Sequence, residues 1–100
     1  MVRLKKLTRA RFEQWLREHP TEMFVTCADT RCPLAVYLRN VYGGKALHSV
    51  GTTSGVALYD DRPNVEFYVP VWATQFIKAI DGGGLRGING AVALQVITTM

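Results

Sequence analysis

Cysteine is scarce in this chain. Cys27 and Cys32 are the only two in 100 residues. That is too few for a disulfide framework, and a domain of this length buries enough apolar surface to fold without one. No apolar run approaches the ~20 residues of a membrane-spanning helix. The opening "MVRLKKLTRARFEQWLREHP" is basic and then amphipathic, without the continuous apolar stretch and small-residue cleavage site of a signal peptide. The expected setting is cytoplasmic and reducing, with a small soluble protein and no membrane partner. Signatures of serine hydrolases, of H-E-x-x-H metalloproteases and of P-loop nucleotide binding are all missing. So are internal repeats and low-complexity linkers.

Negative charge is also in short supply, and its shortage is local. Residues 1–45 carry nine Lys or Arg against four acids, whereas residues 46–100 carry three against four. The net charge of +4 therefore resides in the N-terminal part. Such an excess attracts nucleic acid or an acidic protein surface. The densest run is Arg3, Lys5, Lys6, Arg9 and Arg11. These five are the candidate binding residues, with residues 1–7 expected as a flexible basic arm. At about 100° per residue, Arg9, Arg11 and Arg17 point to three sides of a helix. They do not make the single basic stripe of a groove-binding helix.

The apolar pattern predicts one α+β domain over residues 1–100. Phe12, Trp15 and Leu16 form a helical stripe capped by Thr8 and stopped by Pro20. "EMFVTC" reads as a short strand. Pro33 suits a first helical turn, and Leu34, Tyr37, Leu38 and Val41 recur at i, i+3, i+4 and i+7. Gly43 and Gly44 end that helix. "ALHSV", "VALY" and "VEFYV", separated by "GTTSG" and "DDRPN", predict a three-stranded antiparallel meander, with Val65, Phe67 and Val69 facing inward. A helix follows with Trp72, Phe76, Ala79 and Ile80 on one face. The tail "INGAVALQVITTM" carries both strand-like alternation and a helix-capping Asn89, and is read as a short helix. The expected architecture is a three- or four-stranded antiparallel sheet with three or four helices packed on one face.

Few residues suggest chemistry. The C-x4-C spacing of Cys27 and Cys32 is neither a zinc knuckle nor a C-x-x-C redox pair. A structural zinc would want two more nitrogen or sulfur ligands, and only His19 and His48 are available. No metal and no cofactor are expected. Cys32 precedes Pro33 at a helix N-terminus, where unpaired N–H groups and the helix dipole favour a thiolate. It is the candidate reactive thiol. "GGGLRG" fits G-x-G-x-x-G but follows a helix and leaves no room for the strand a dinucleotide fold requires. Asp60, Asp61 and Glu66 lack calcium-loop spacing and read as a turn. Tyr42, Tyr59, Tyr68 and Trp72 are candidates for a contact face.

The segments "FEQWLREHP", "CPLAVYL" and "PVWATQFIKAID" together resemble small uncharacterised phage and bacterial proteins with a Phe-x-x-Trp-Leu helix, a Cys-Pro-Leu-Ala-x-Tyr-Leu helix and a late helix ending in Asp. The resemblance covers three short segments and implies a small accessory protein, with no activity attached. The favoured expectation is a non-catalytic protein that binds another protein, steered by its basic half. One alternative is nucleic-acid binding through Arg3, Lys5, Lys6, Arg9 and Arg11. The other is a small thiol-dependent enzyme using Cys32.

Overall fold

Three helices begin where a side chain can satisfy the first unpaired N–H groups. In the computed structural model, which describes residues 1–82 and 87–100, Thr8 Oγ1 accepts from the N–H of Arg11 at 3.3 Å and starts α1 (Arg9–Glu18). The chain then runs through β1 (Met23–Val25) to α2 (Pro33–Val41). Cys32 is the N-cap of α2, and Pro33 occupies its first turn. Gly43 and Gly44 follow α2 at φ of 87° and 72°, left-handed conformations that glycine adopts without a Cβ penalty. The meander comes next, as β2 (Leu47–Val50), β3 (Ser54–Leu58) and β4 (Val65–Tyr68). It leads to α3 (Val71–Gly82), β5 (Gly87–Asn89) and α4 (Gly90–Thr98). Asn89 Oδ1 caps α4 by accepting from the N–H of Val92 at 2.9 Å.

The meander is antiparallel in the order β2-β3-β4. Its pleat sorts side chains by face. Val50, Gly55 and Phe67 are in register and buried on the inner face, as are His48 and Ala57. Leu47, Leu58, Glu66 and Tyr68 lie on the outer face and are exposed. Phe67 fills the space above Gly55, where any Cβ would meet its ring at 2.2 Å. Of the three residues of "VEFYV" expected inside, Phe67 alone is fully buried; Val65 is exposed, and Val69, just past β4, is half-buried.

"EMFVTC" is a strand, but it does not extend the meander. β1 pairs antiparallel with β5 in a separate two-stranded sheet, Phe24 opposite Ile88. The sheet of the meander therefore has three strands, not four. β5 is too short to read from its own residues, and its partner lies more than sixty positions upstream.

Residues 1–7 are not a loose arm. Val2 bridges β4 in parallel, donating to the carbonyl of Glu66 at 3.1 Å and accepting from the N–H of Tyr68 at 2.9 Å. Leu7 is buried in the core. Main-chain pairing at Val2 and an apolar anchor at Leu7 thus hold the first seven residues against the fold.

Aromatic rings organise the core. Phe12 of α1 meets Tyr37 edge-on at 5.3 Å, Phe76 edge-on at 5.2 Å and Trp72 at 5.8 Å between centroids. Trp15 adds edge contact with Tyr37 at 5.6 Å and stacks on His19 at 4.5 Å. On α3 the buried face is Ala73, Phe76, Ile77 and Ile80, while Ala79 is exposed and Trp72 half-buried. The stripe is rotated by one position from the expected one. α4 turns Gly90, Ala93 and Ile97 inward, so Val92, Leu94 and Val96 are left half-buried and mimic a strand's alternation.

Candidate functional site

α1 and α2 enclose an open groove of about 530 Å³. α1 supplies Ala10, Gln14 and Glu18, spaced by four residues along one face, with Arg11 and Trp15 beside them. α2 supplies Tyr37 and Val41, again four apart. Ala10 is small, so the helices leave space here where a larger side chain would have closed it. Trp15 and Tyr37 are buried and form the floor.

Lys6 closes one end of the groove. Its Nζ donates to the carbonyl of Val41 at 2.9 Å and lies 5.1 Å from the Tyr42 ring centroid. The ammonium thus caps the C-terminal end of α2, where carbonyls are unpaired and the dipole is negative. Its backbone is held as well: the Lys6 N–H donates to Tyr42 Oη at 3.2 Å, and the Tyr37 hydroxyl donates to the Lys6 carbonyl. Burial raises the Tyr37 phenol above its ordinary value, with the Arg11 charge pulling the other way. At the far end, Gln14 Nε2 donates to Glu18 Oε1 at 3.1 Å. The groove is therefore cationic where α1 begins and anionic where it ends.

The five expected binding cations do not share one surface. Arg3 lies with its guanidinium 5.8 Å from the Tyr68 ring on the outer side of the meander. Arg9 donates to the carbonyl of Ile97 at 2.8 Å and caps α4. Its approach to Glu13, at 3.9 Å, is loose. Lys5 is exposed and lines none of the described cavities around this groove. Only Lys6 and Arg11 meet, at the mouth of the groove. Adjacency in sequence groups the five, but the extended pairing of Val2 with β4 sends Arg3 to the meander, and α1 turns Arg9 and Arg11 to different sides. Ala10, Gln14 and Glu18 were the overlooked signal: a four-residue repeat of small and polar residues flanking an aromatic stripe.

Cys32 is buried, and burial pushes its thiol up to about 11, against the backbone hydrogen bonds from Ala35 and Leu34 that favour the thiolate. Asp81 and Asp29 raise it further by charge repulsion. Burial and the raised thiol pKa weigh against the expectation of a reactive Cys32. Removing a thiolate from water outweighs what a helix N-terminus returns. Its Sγ instead serves as a weak cap, accepting from the Ala35 N–H at 3.5 Å. Cys27 is the exposed thiol, in a left-handed backbone conformation at φ 58°, with its N–H donating to Asp81 Oδ1 at 2.9 Å. In native protein Cys27 is expected to be alkylated first, and Cys32 only as the fold opens. Mass spectrometry of partially alkylated protein checks the order; equal labelling of both residues under native conditions would contradict it.

His48 is buried on the inner sheet face between the rings of Tyr42 and Phe67, at 6.0 and 6.1 Å. Its Nδ1 has no hydrogen-bond partner among the described residues. Burial lowers its pKa, opposed in part by a backbone hydrogen bond at Ala46. The unfolded chain then binds a proton more readily than the folded one. His48's share of stability is present above the ordinary histidine value of about 6.5 and is lost as pH falls through its lower folded value. His48→Leu is expected to flatten the decline of the urea midpoint between neutral and mildly acidic pH. An unchanged slope would place the acid sensitivity elsewhere.

Among the described residues no three His, Cys, Asp or Glu side chains are grouped to hold a metal ion, and no helix is long and apolar enough to cross a membrane. Asp60, Asp61, Arg62, Tyr59 and Lys45 share a shallow cavity where Arg62 stacks on the Tyr59 ring at 3.9 Å. The centre of "GGGLRG", residues 83–86, lies outside the described residues. No family model matches this chain, nor does any curated protein or solved structure.

Proposed function

We propose that this is a small non-catalytic accessory protein that binds another protein through the groove between α1 and α2. The observation that carries this reading is the groove left open beside small Ala10, with buried Trp15 and Tyr37 beneath it and Lys6 and Arg11 on its rim. An apolar floor with a charged rim is the usual anatomy of a protein contact. The basic excess of residues 1–45 steers an acidic partner towards it. Cytoplasmic location remains part of the proposal.

Nucleic-acid binding is the second reading, and the same basic excess favours it. It has less support, because Arg3 and Arg9 are engaged within the fold at places away from the groove that Lys6 and Arg11 line. Titrating labelled duplex and single strand at several salt concentrations tests the choice. The expected result is weak binding that vanishes near physiological salt. A true phosphate grip would steepen the log–log salt slope by about 0.9 per contact. Replacing Arg3, Lys5 and Lys6 with alanine would then flatten it by about two to three units. Sub-micromolar affinity at physiological salt, lost in that triple variant, would overturn the protein-binding reading.

A further inference from the structure

The groove is polarised, and its polarity selects an occupant. Lys6 and Arg11 stand at one end and Glu18 at the other. Arg11 is exposed, and its guanidinium forms no ion pair among the described residues. The Lys6 ammonium uses one donor on Val41 and keeps others for a ligand. α1 begins and α2 ends here, so their dipoles oppose one another, and the positive character of this end rests on the two side-chain cations. At the opposite end Glu18 already accepts from Gln14, which leaves an acidic wall that repels a second carboxylate. Between the ends, the 530 Å³ above Trp15 and Tyr37 falls in the size range of side-chain and small-ligand pockets.

We propose that the occupant is an acidic peptide segment with an apolar anchor, its carboxylate on Arg11 and Lys6 and its anchor side chain over Trp15 and Tyr37. This rests on the protein-binding reading above and goes further by fixing the chemistry and direction of the bound segment. The acidic residue lies towards the start of α1 and the apolar anchor towards its middle. A segment bound the other way round would set carboxylate against Glu18 and leave both cations unpaired.

Panning a random displayed-peptide library on the full chain tests it. Enriched peptides are expected to carry Asp or Glu close to Phe, Trp or Leu. They should bind about tenfold or more weakly to Arg11→Glu, the loss expected for a reversed interfacial charge. Arg11→Gln should lie between, and Lys78→Glu, which alters an exposed charge on α3, should bind as wild type. Ala10→Trp, which fills the groove, should abolish binding, and its urea midpoint shows whether it is folded. Peptides lost in Ala10→Trp but indifferent to Arg11→Glu and Arg11→Gln would overturn the acidic occupant and leave the protein-binding groove standing. Enrichment of basic peptides, or of none sensitive to either position, would overturn the inference outright.

Discussion

Phe12→Ala is expected to destabilise the fold by about 3–5 kcal/mol, the range for emptying a buried aromatic site. Phe12 has no exposed surface, and its ring contacts those of Tyr37, Trp72 and Phe76. Two of the contacts are edge-to-face, an arrangement that adds about 0.5–1.5 kcal/mol each beyond area burial. The three partners belong to α2 and α3, so neighbouring helices must move together to close the cavity. A domain of this size is stable by about 5–15 kcal/mol, so the loss is a large fraction of the total and should lower the urea midpoint markedly. Phe12→Leu keeps much of the volume and should cost clearly less. Urea denaturation measures both. A loss below about 1 kcal/mol for Phe12→Ala would mean that the rings are not packed as described.

Gly90→Ala sets two opposed effects against each other. Alanine in a helix is favoured over glycine by about 1 kcal/mol. Here, however, a Cβ would lie 1.9 Å from the carbonyl oxygen of His19 and 2.9 Å from its carbon. These are backbone atoms, which cannot swing aside as a side-chain tip can. The same approach carries two hydrogen bonds, from Gly90 N–H to the Glu22 carbonyl at 2.9 Å and from Ala91 N–H to the Pro20 carbonyl at 3.1 Å. Separating the turn from α4 would break both and strain the Trp15–His19 stack beside the groove. The clash should win, with a net loss of about 2–4 kcal/mol. A stabilised Gly90→Ala variant would contradict the close approach of α4 to the turn.

Local signals carried far in this sequence, and long-range ones did not. The stripes of Phe12, Trp15 and Leu16 and of Leu34, Tyr37 and Leu38 mark buried helix faces because periodicity and burial share one cause. Thr8, Pro33 and Asn89 mark helix starts because capping is satisfied within a few residues. The α+β class follows from those elements. The pairing of β1 with β5 was illegible, since neither three-residue strand has a pattern of its own. Val2 is similar: nothing in "MVRLKK" announces that β4 will take it as an edge partner.

The candidate site divides along the same line. Lys6 and Arg11 were legible as exposed cations, but not that they would share a groove while Arg3 and Arg9 went elsewhere. Cys32 was legible as a helix N-cap, but its depth was not, and depth decides the protonation of a thiol. The groove itself arises from the absence of bulk at Ala10 between two helices that pack elsewhere through large rings. An absence of that kind has a meaning only once the facing residues, Tyr37 and Val41, are known.

Protein binding through the α1/α2 groove is tested most directly by photocrosslinking. A photoreactive amino acid in place of Gln14 sits within the groove, and the same residue in place of exposed Gln75 on α3 serves as control. Irradiated in the native cell, the Gln14 site is predicted to give a discrete crosslinked protein, identifiable by mass spectrometry, that the Gln75 site does not give and that Ala10→Trp suppresses. A nucleic-acid adduct at Gln14, or the same products from both sites, would contradict it.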